Sequence, residues 1–228
     1  MRLKNRAAAA RLLAEKLEPY KGEYPLILAI PRGAVPLGRA LADELGGDLD
    51  VVLVRKLYAL GNPELAIGSV DETGKVLVSD AIWELGIPPD YVHRETRRQL
   101  AFLEERRALY SPARPAADPE GRVVIVVANS DSDDAATGST LIAALRLIRK
   151  HRPRKLVAAL ALAPPRTVER ARQVADEVVC LQTQRPYYAV NSLFEDLSEV
   201  TDADVIAALA GPSRSPVEEE TVEELATV

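Results

Sequence analysis

Short aliphatic runs alternate with amphipathic segments along most of the chain. The aliphatic runs are Pro25–Ile30, Leu49–Val54, Val123–Val127, Leu156–Leu162 and Glu177–Leu181. Such short, largely uncharged and β-branched runs are typical of strands buried on both faces of a parallel sheet. The order strand, turn, helix recurs at least three times. This order predicts an α/β fold with a mainly parallel sheet flanked by helices, and ligands at the carboxyl ends of the strands.

Helical periodicity fills the intervals between these runs. Helices are predicted over Asn5–Leu17, Pro89–Tyr110, Leu141–Lys150 and Arg166–Ala175, and a further helix is predicted to follow Gly38 and to end at Leu45. A short strand is predicted at Val76–Val78, and the segment Leu57–Ser69, which contains Gly, Asn and Pro, is predicted to be a mobile loop or an extended hairpin. We expect residues 1–210 to form one α/β domain with a small hood mainly over 184–204, and 211–228 to be a flexible acidic tail.

One strand-turn-helix unit, Gly121–Lys150, concentrates groups that could hold an anion. Its strand is followed by the carboxylates Asp131, Asp133 and Asp134, and then by the turn Ala135–Thr140. Free N–H groups and hydroxyls at a helix N-terminus suit a phosphate, and Gly138 allows its close approach. The carboxylates suit sugar hydroxyls or a divalent cation, so the unit suggests a phosphosugar ligand. The alternative is an ordinary helix capped by Ser or Thr.

Two further polar clusters follow predicted strands. Arg32 and Gly33 stand in a tight turn before a helix, where the planar fork of an arginine could grip a diphosphate. Arg55 and Lys56 follow the run Leu49–Val54, and we expect them at the carboxyl end of a parallel strand. The alternative for Arg32 is an ordinary surface arginine.

Composition excludes several classes of protein. The net charge of −5 argues against a general nucleic-acid binder. The single cysteine, Cys180, excludes a disulfide framework and is predicted to be a buried strand residue. The first helix carries charges rather than the apolar core of a signal peptide, and no apolar run approaches a membrane span. We therefore expect a cytoplasmic protein.

The residues above resemble those of a known family. The segment Val123–Thr140 resembles the phosphoribosyl-diphosphate (PRPP) loop of type I phosphoribosyltransferases, with an aliphatic strand, adjacent acids and a turn ending in T-G-x-[ST]. Pro31–Ala34 resembles the pyrophosphate loop of that family, and Arg55–Gly68 is similar to the R-K-x-x-x-x-G-x-P-E-x-A-I-G segment of one bacterial subgroup. The resemblance covers Leu26–Val205.

The resemblance implies a reaction in which phosphoribose moves from PRPP to a nitrogenous base and pyrophosphate is released. It implies Mg²⁺ as a cofactor carried mainly on the substrate's oxygens, with Asp133 and Asp134 as indirect ligands, and it allows a homodimer. The implied roles are as follows: Asp133, Asp134 and Lys56 in catalysis; Ala135, Ala136, Thr137, Gly138, Ser139 and Thr140 on the sugar phosphate; Arg32, Gly33, Arg55 and Lys56 on pyrophosphate; Tyr187 or Tyr188 on the acceptor base.

The acidic loop departs from the family pattern, and this leaves other functions open. Asp133-Asp134 stand one residue closer to Thr137-Gly138 than the pattern has them, and the loop is longer. A second interpretation is therefore a regulator that binds a phosphosugar or nucleotide without turnover. A third is a phosphatase-like α/β enzyme that uses an aspartate of 131–134 as nucleophile. Tyr187 and Tyr188 could instead belong to an aromatic cluster that seals the sheet edge.

Overall fold

The computed structural model describes residues 3–110, 116–128, 138–183, 194–195 and 198–211. The chain forms the following helices and strands in order: α1 (Arg6–Lys16), β1 (Leu26–Ala29), α2 (Val35–Leu45), β2 (Asp48–Val51), β3 (Val54–Ala59), β4 (Asn62–Asp71), β5 (Val76–Val78), α3 (Ala81–Glu84), α4 (Pro89–Tyr110), β6 (Val123–Ala128), α5 (Ser139–Arg149), β7 (Lys155–Ala163), α6 (Pro165–Arg172), β8 (Glu177–Thr183) and α7 (Asp202–Leu209).

The centre of the molecule is a parallel sheet of five strands in the order β2-β1-β6-β7-β8. Alternate side chains of each strand enter separate cores on the two faces. Ile125 packs with residues of α1 and α2, whereas its neighbours Val124 and Val126 pack with residues of α5 and α6. Both faces are therefore covered by helices, which explains why the strands have no polar face. The predicted α/β fold, with a mainly parallel sheet flanked by helices, is confirmed.

One predicted strand has different bounds, and this changes where two basic residues lie. The run Leu49–Val54 was expected to form a single strand. Instead β2 ends at Val51, and Val52 N donates to Ala29 O at 3.0 Å. Ala29 is also the last residue of β1, so the pairing partner ends there and the chain leaves the sheet. Arg55 therefore lies on β3, in a separate sheet, and the expectation that it stands at the carboxyl end of a parallel strand was wrong.

The second sheet, called the small sheet below, consists of the antiparallel strands β3, β4 and β5. β3 and β4 form a hairpin whose turn contains Gly61 at φ 75°, a conformation that glycine adopts without steric cost. The extended-hairpin interpretation of Leu57–Ser69 is thus confirmed. The helix α4 packs against this sheet.

A half-buried arginine, Arg107, links α4 to both sheets. Arg107 Nη1 donates to Asp50 of β2 at 2.7 Å, and its Nε and Nη2 donate to Glu72 at 2.5 Å. Burial opposes the charged form, but the Glu72 and Asp50 carboxylates raise the pKa of Arg107 above its ordinary value. Since removing one partner would leave a buried charge unpaired, this network fixes the small sheet against the main one.

The described residues bear on only part of the predicted domain organisation. Most of the predicted hood, 184–204, and nearly all of the predicted tail, 211–228, lie outside them. None of the described helices combines the length and the apolar character that crossing a membrane would require.

Candidate functional site

The site is defined by two turns at the carboxyl edge of the main sheet. β1 and β6 are neighbours, with Ala29 paired to Val127, and Ile30 N donates to Val127 O at 3.0 Å. The turn after β1 leads into α2, and the turn after β6 leads into α5. Two helix N-termini therefore begin at adjacent strand ends, which is the usual place for an anionic ligand in an α/β sheet.

The turn after β1 presents Arg32. The peptide bond between Pro31 and Arg32 is cis. The Arg32 side chain is 48% exposed, and its guanidinium lies 3.5 Å from Glu199 Oε1 and 3.9 Å from Asp202 Oδ1. A half-exposed guanidinium at the edge of the sheet is accessible to a ligand, but carboxylates of the same chain already lie beside it.

A cavity of about 170 Å³ opens next to Arg32. Four separate elements supply its polar lining: Arg32 from the first turn, Arg55 from β3, Arg106 and Tyr110 from α4, and Thr140 from the start of α5. The apolar lining comes from neighbouring residues, among them Ile30, Val52, Leu53, Phe102 and Leu103. Arginines that converge on a helix N-terminus favour a ligand with several negative charges.

The ring of Phe102 on α4 contacts two of these arginines. The Arg55 guanidinium carbon lies 4.3 Å from the centre of the Phe102 ring, and that of Arg106 lies 5.3 Å from it. Arg55 Nε also donates to Gln99 Oε1 at 3.0 Å. Arg55 thus lines the cavity from β3 of the small sheet, where residues of α4 support it. The prediction had placed it at the end of a parallel strand instead.

Lys56 has a different position from Arg55. The two residues are consecutive on β3, before the irregularity at Leu57 and Tyr58, so their side chains point to opposite faces of the strand. Lys56 is half-buried and is not among the residues that line the cavity. The pyrophosphate-binding role predicted for Arg55 and Lys56 stays a prediction for both residues, and of the two only Arg55 is among the described residues that line the cavity.

The turn after β6 depends on a glycine. Gly138 precedes α5 with φ 63°, and a Cβ built there would lie 2.3 Å from Thr167 Cγ2 of α6. Gly138, the N-cap residue of α5, has no side chain with which to cap the helix. Thr167 Oγ1 is buried and has no hydrogen-bond partner within the part of the chain that the structure describes. The site thus needs glycine at 138 for both its conformation and its close packing.

Asp202, the first residue of α7, connects this helix to the arginines beside the cavity. It accepts hydrogen bonds from Tyr110 Oη at 2.8 Å and from Arg106 Nη1 at 3.1 Å. The hydrogen bond from Tyr110, together with the Arg106 and Arg32 cations, holds the pKa of Asp202 below its ordinary value. Burial, and then the contact with Asp202, raises the pKa of Tyr110. Asp202 is therefore ionised at neutral pH; it holds Arg106 by a hydrogen bond and lies 3.9 Å from Arg32.

Four residues of the site were not predicted from the sequence: Phe102, Arg106, Tyr110 and Asp202. The available signal was spacing, because Gln99, Phe102, Leu103, Arg106 and Tyr110 recur at intervals of three and four and so share one helix face. Nothing in the local sequence indicated that α7 would supply a carboxylate to that face.

Several predicted site residues lie outside the described residues. They are Asp133, Asp134, Ala135, Ala136, Thr137, Tyr187 and Tyr188. Of the predicted phosphate-binding residues, Gly138, Ser139 and Thr140 are described, and they stand at the start of α5 as expected. Across the described ranges, no group of three or more His, Cys, Asp or Glu residues could hold a metal ion.

Comparison with known proteins assigns the chain to a family. The model of the phosphoribosyl transferase domain matches residues 3–195. This chain belongs to the phosphoribosyltransferase family. Two proteins of Mycobacterium tuberculosis, from strains CDC 1551/Oshkosh and H37Rv and each named "Putative phosphoribosyl transferase", are 34% identical to it over 206 residues, which is 90% of this chain. The chain spans about half the length of these two relatives, 46%.

A solved structure has the same fold as this chain. The crystal structure of TT1426 from Thermus thermophilus is 40% identical in sequence and superposes with a TM-score of 0.79. The match covers 92% of this chain and 98% of TT1426. The resemblance inferred from the PRPP-loop and pyrophosphate-loop motifs is thereby confirmed at the level of the family.

Proposed function

We propose that this protein transfers phosphoribose from PRPP to a nitrogenous base and releases pyrophosphate. The observation that carries the proposal is the convergence of Arg32, Arg55, Arg106 and Thr140 on one cavity at the carboxyl edge of the sheet. A multiply charged leaving group needs several cations, and these cations come from elements that only the fold brings together. Membership of the family supports the same conclusion.

In the proposed reaction, the bond between C1 of the ribose and the pyrophosphate oxygen breaks, and a bond from C1 to a ring nitrogen of the base forms. The transition state is oxocarbenium-like, so the protein acts by positioning groups and by stabilising departing negative charge. Arg32, Gly33 and Arg55 would hold pyrophosphate, with Lys56 as a further cation, and Arg106 extends the set predicted from sequence.

The remaining roles concern the sugar and the acceptor. The start of α5 would bind the sugar phosphate, with Gly138, Ser139 and Thr140 continuing the loop that begins at Ala135. Asp133 and Asp134 would approach the ribose hydroxyls, and Tyr187 or Tyr188 would pack on the base. The cytoplasmic location, the lack of nucleic-acid binding and the homodimer stay predictions.

Mg²⁺ is the cofactor that the family generally uses with PRPP. The described residues contain no cluster that could bind a metal ion unaided, and they present cations rather than carboxylates to the cavity. This donor set fits an ion that arrives on the substrate's own oxygens and keeps several waters. Bound in that way, Mg²⁺ would neutralise part of the charge on the diphosphate. Asp133 and Asp134 are the carboxylates proposed to contact its water shell.

A second candidate is a regulator that binds a phosphosugar or nucleotide without turnover. One observation favours it: the carboxylates of Glu199 and Asp202 lie 3.5 and 3.9 Å from Arg32, where a ligand phosphate would bind. A ligand must compete with these carboxylates. Such competition would suit a protein that responds to ligand concentration.

Titration calorimetry with PRPP, with and without Mg²⁺, followed by a pyrophosphate-release screen over purine and pyrimidine bases, tests the proposal. Mg²⁺-dependent binding with release for one base is the expected result. Binding with no release across the panel would favour the regulator. No binding of PRPP at all would overturn the transferase proposal and any regulator that responds to this phosphosugar.

A further inference from the structure

A large apolar groove lies on the side of the molecule formed by β5, α3 and the first turns of α4. Its volume is about 650 Å³, and its apolar lining includes Val76, Val78, Ile82, Trp83 and Val92. Trp83 is 73% exposed and Val78 is 47% exposed. An open apolar surface with an exposed tryptophan is the kind of surface that binds another polypeptide segment. We call it the α3–α4 groove.

None of the described residues that line the groove is acidic, and Arg97 contributes a positive charge to its lining. Of the described residues that line it, His93 and Arg97 are the ones that can carry charge, and both are exposed. They are four residues apart on α4 and therefore share one face. Neither makes an ion pair or side-chain hydrogen bond with any residue in the described ranges. The groove is thus apolar with a cationic rim, and it suits an acidic segment that also carries aliphatic side chains.

The chain itself contains a segment with this chemistry. Residues 212–228 read PSRSPVEEETVEELATV, with five glutamates and the aliphatic residues Val217, Val222, Leu225 and Val228. A second copy docked about a two-fold axis would instead bring the cationic rim of one groove towards that of the other. Charge complementarity therefore favours the C-terminal segment as the occupant.

The segment is long enough to reach the groove. It follows Gly211, beyond α7, and α7 contacts α4 where Arg106 Nη1 lies 3.1 Å from Asp202. The path back along α7 and then along α4 to Arg97 is roughly 35 Å, taking 1.5 Å per helical residue and the width of one side-chain contact. Residues 212–228 could span up to about 56 Å if fully extended. The segment is therefore long enough to extend from Gly211 to the groove.

We propose that residues 212–228 dock in the α3–α4 groove. Val222 and Leu225 would pack on Trp83 and its apolar neighbours, and the flanking glutamates would lie against the rim at Arg97. Docking would cover β5, the outer strand of the small sheet that also carries Arg55. The proposal rests on the groove and on the composition of the segment, and it is independent of the transferase function.

The chain has a single tryptophan, so Trp83 reports directly on the groove. The experiment compares Trp83 emission and acrylamide quenching in the full chain and in the full-length variant Val222→Asp/Leu225→Asp. The matched control, Ser213→Asp/Ser215→Asp, adds the same two charges to the segment but leaves its aliphatic residues intact. We expect a red shift and stronger quenching in the first variant, and the wild-type spectrum in the control. Equal spectra in all three proteins would overturn the proposal.

Reversing the charges of Arg97 and of two glutamates of the segment tests whether the cationic rim binds the segment. Arg97→Glu should expose Trp83 to quencher, whereas Arg11→Glu on the exposed face of α1 should not. Adding Glu223→Lys/Glu224→Lys to Arg97→Glu should restore protection. If the protection of Trp83 instead depends on protein concentration, and sedimentation shows a matching change of mass, then a second copy fills the groove and the proposal is wrong.

Discussion

The turns after β1 and β6 are the same structural unit, a strand end followed by a helix N-terminus, yet in the proposed function they would bind anions by different means. The first turn relies on a side chain, because Arg32 projects from it and is accessible. The second relies on the backbone, because Gly138 takes a positive φ and packs against Thr167 so closely that no side chain fits. Substitutions in the first turn should therefore remove binding alone, whereas those in the second should disturb structure as well.

The largest expected effect is that of Gly138→Ala. The left-handed backbone costs a non-glycine residue roughly 1–2 kcal/mol, and the contact with Thr167 adds a steric cost. We expect loss of PRPP binding and a fall in the free energy of unfolding, measured by denaturant titration. The double variant Gly138→Ala/Thr167→Ala removes the clash but not the backbone cost, so it should recover part of the lost stability. The loss of stability caused by Gly138→Ala should therefore be smaller in the Thr167→Ala background than in the wild-type background. An equal loss in both backgrounds would show that Thr167 does not restrict this position.

Arg32→Ala should have the next largest effect, and on binding only. Losing charge-assisted hydrogen bonds to a phosphate costs about 1.5–3 kcal/mol, which weakens PRPP binding by a factor of about 10–150. The free energy of unfolding should change little, since the ion pairs of Arg32 are at least 3.5 Å long and partly solvated. Calorimetry checks the affinity, with Arg11→Ala on α1 as the control. Unchanged affinity would remove Arg32 from the site.

A smaller effect, with the opposite sign, is expected for Glu199→Gln. The Glu199 side chain is 84% exposed and its carboxylate lies 3.5 Å from Arg32, so it competes with an incoming anion. An exposed ion pair contributes about 0.2–1 kcal/mol, and its removal should raise the affinity for inorganic pyrophosphate up to about fivefold. Glu15→Gln on α1 makes the same charge change elsewhere. Weaker pyrophosphate binding in Glu199→Gln would contradict a competing role.

The smallest effect concerns pH and Asp202. Its pKa is lowered in the folded protein by Tyr110, Arg106 and Arg32, so its contribution to stability is present above the ordinary carboxyl pKa of about 3.9. That contribution is lost as the pH falls through the lower, folded-state pKa. Asp202→Asn should therefore be less stable than wild type at pH 7, and the difference should shrink in strong acid. A difference independent of pH would mean that the charge of Asp202 is unimportant.

Much of this site could be predicted because its chemistry is local in sequence. The turn at Arg32 and the turn at Gly138 each follow an aliphatic run and precede a helical pattern, and both lie where that order placed them. The motif spacing also indicated the family. Arg106 and Asp202 could not be found in this way, because they lie 96 residues apart and meet only where α4 and α7 pack.

The sequence by itself therefore determined the parallel α/β core, since aliphatic runs buried on both faces admit few other arrangements. It also indicated the two turns that we propose to bind phosphate groups. The tertiary structure alone decided that β2 ends at Val51, because the end of its partner β1 sets that limit. It alone placed Arg55 on the small sheet beside Phe102, and it alone brought a carboxylate of α7 to the arginines of the cavity. Pairing partners and helix packing depend on contacts between residues distant in sequence, and no local pattern specifies them.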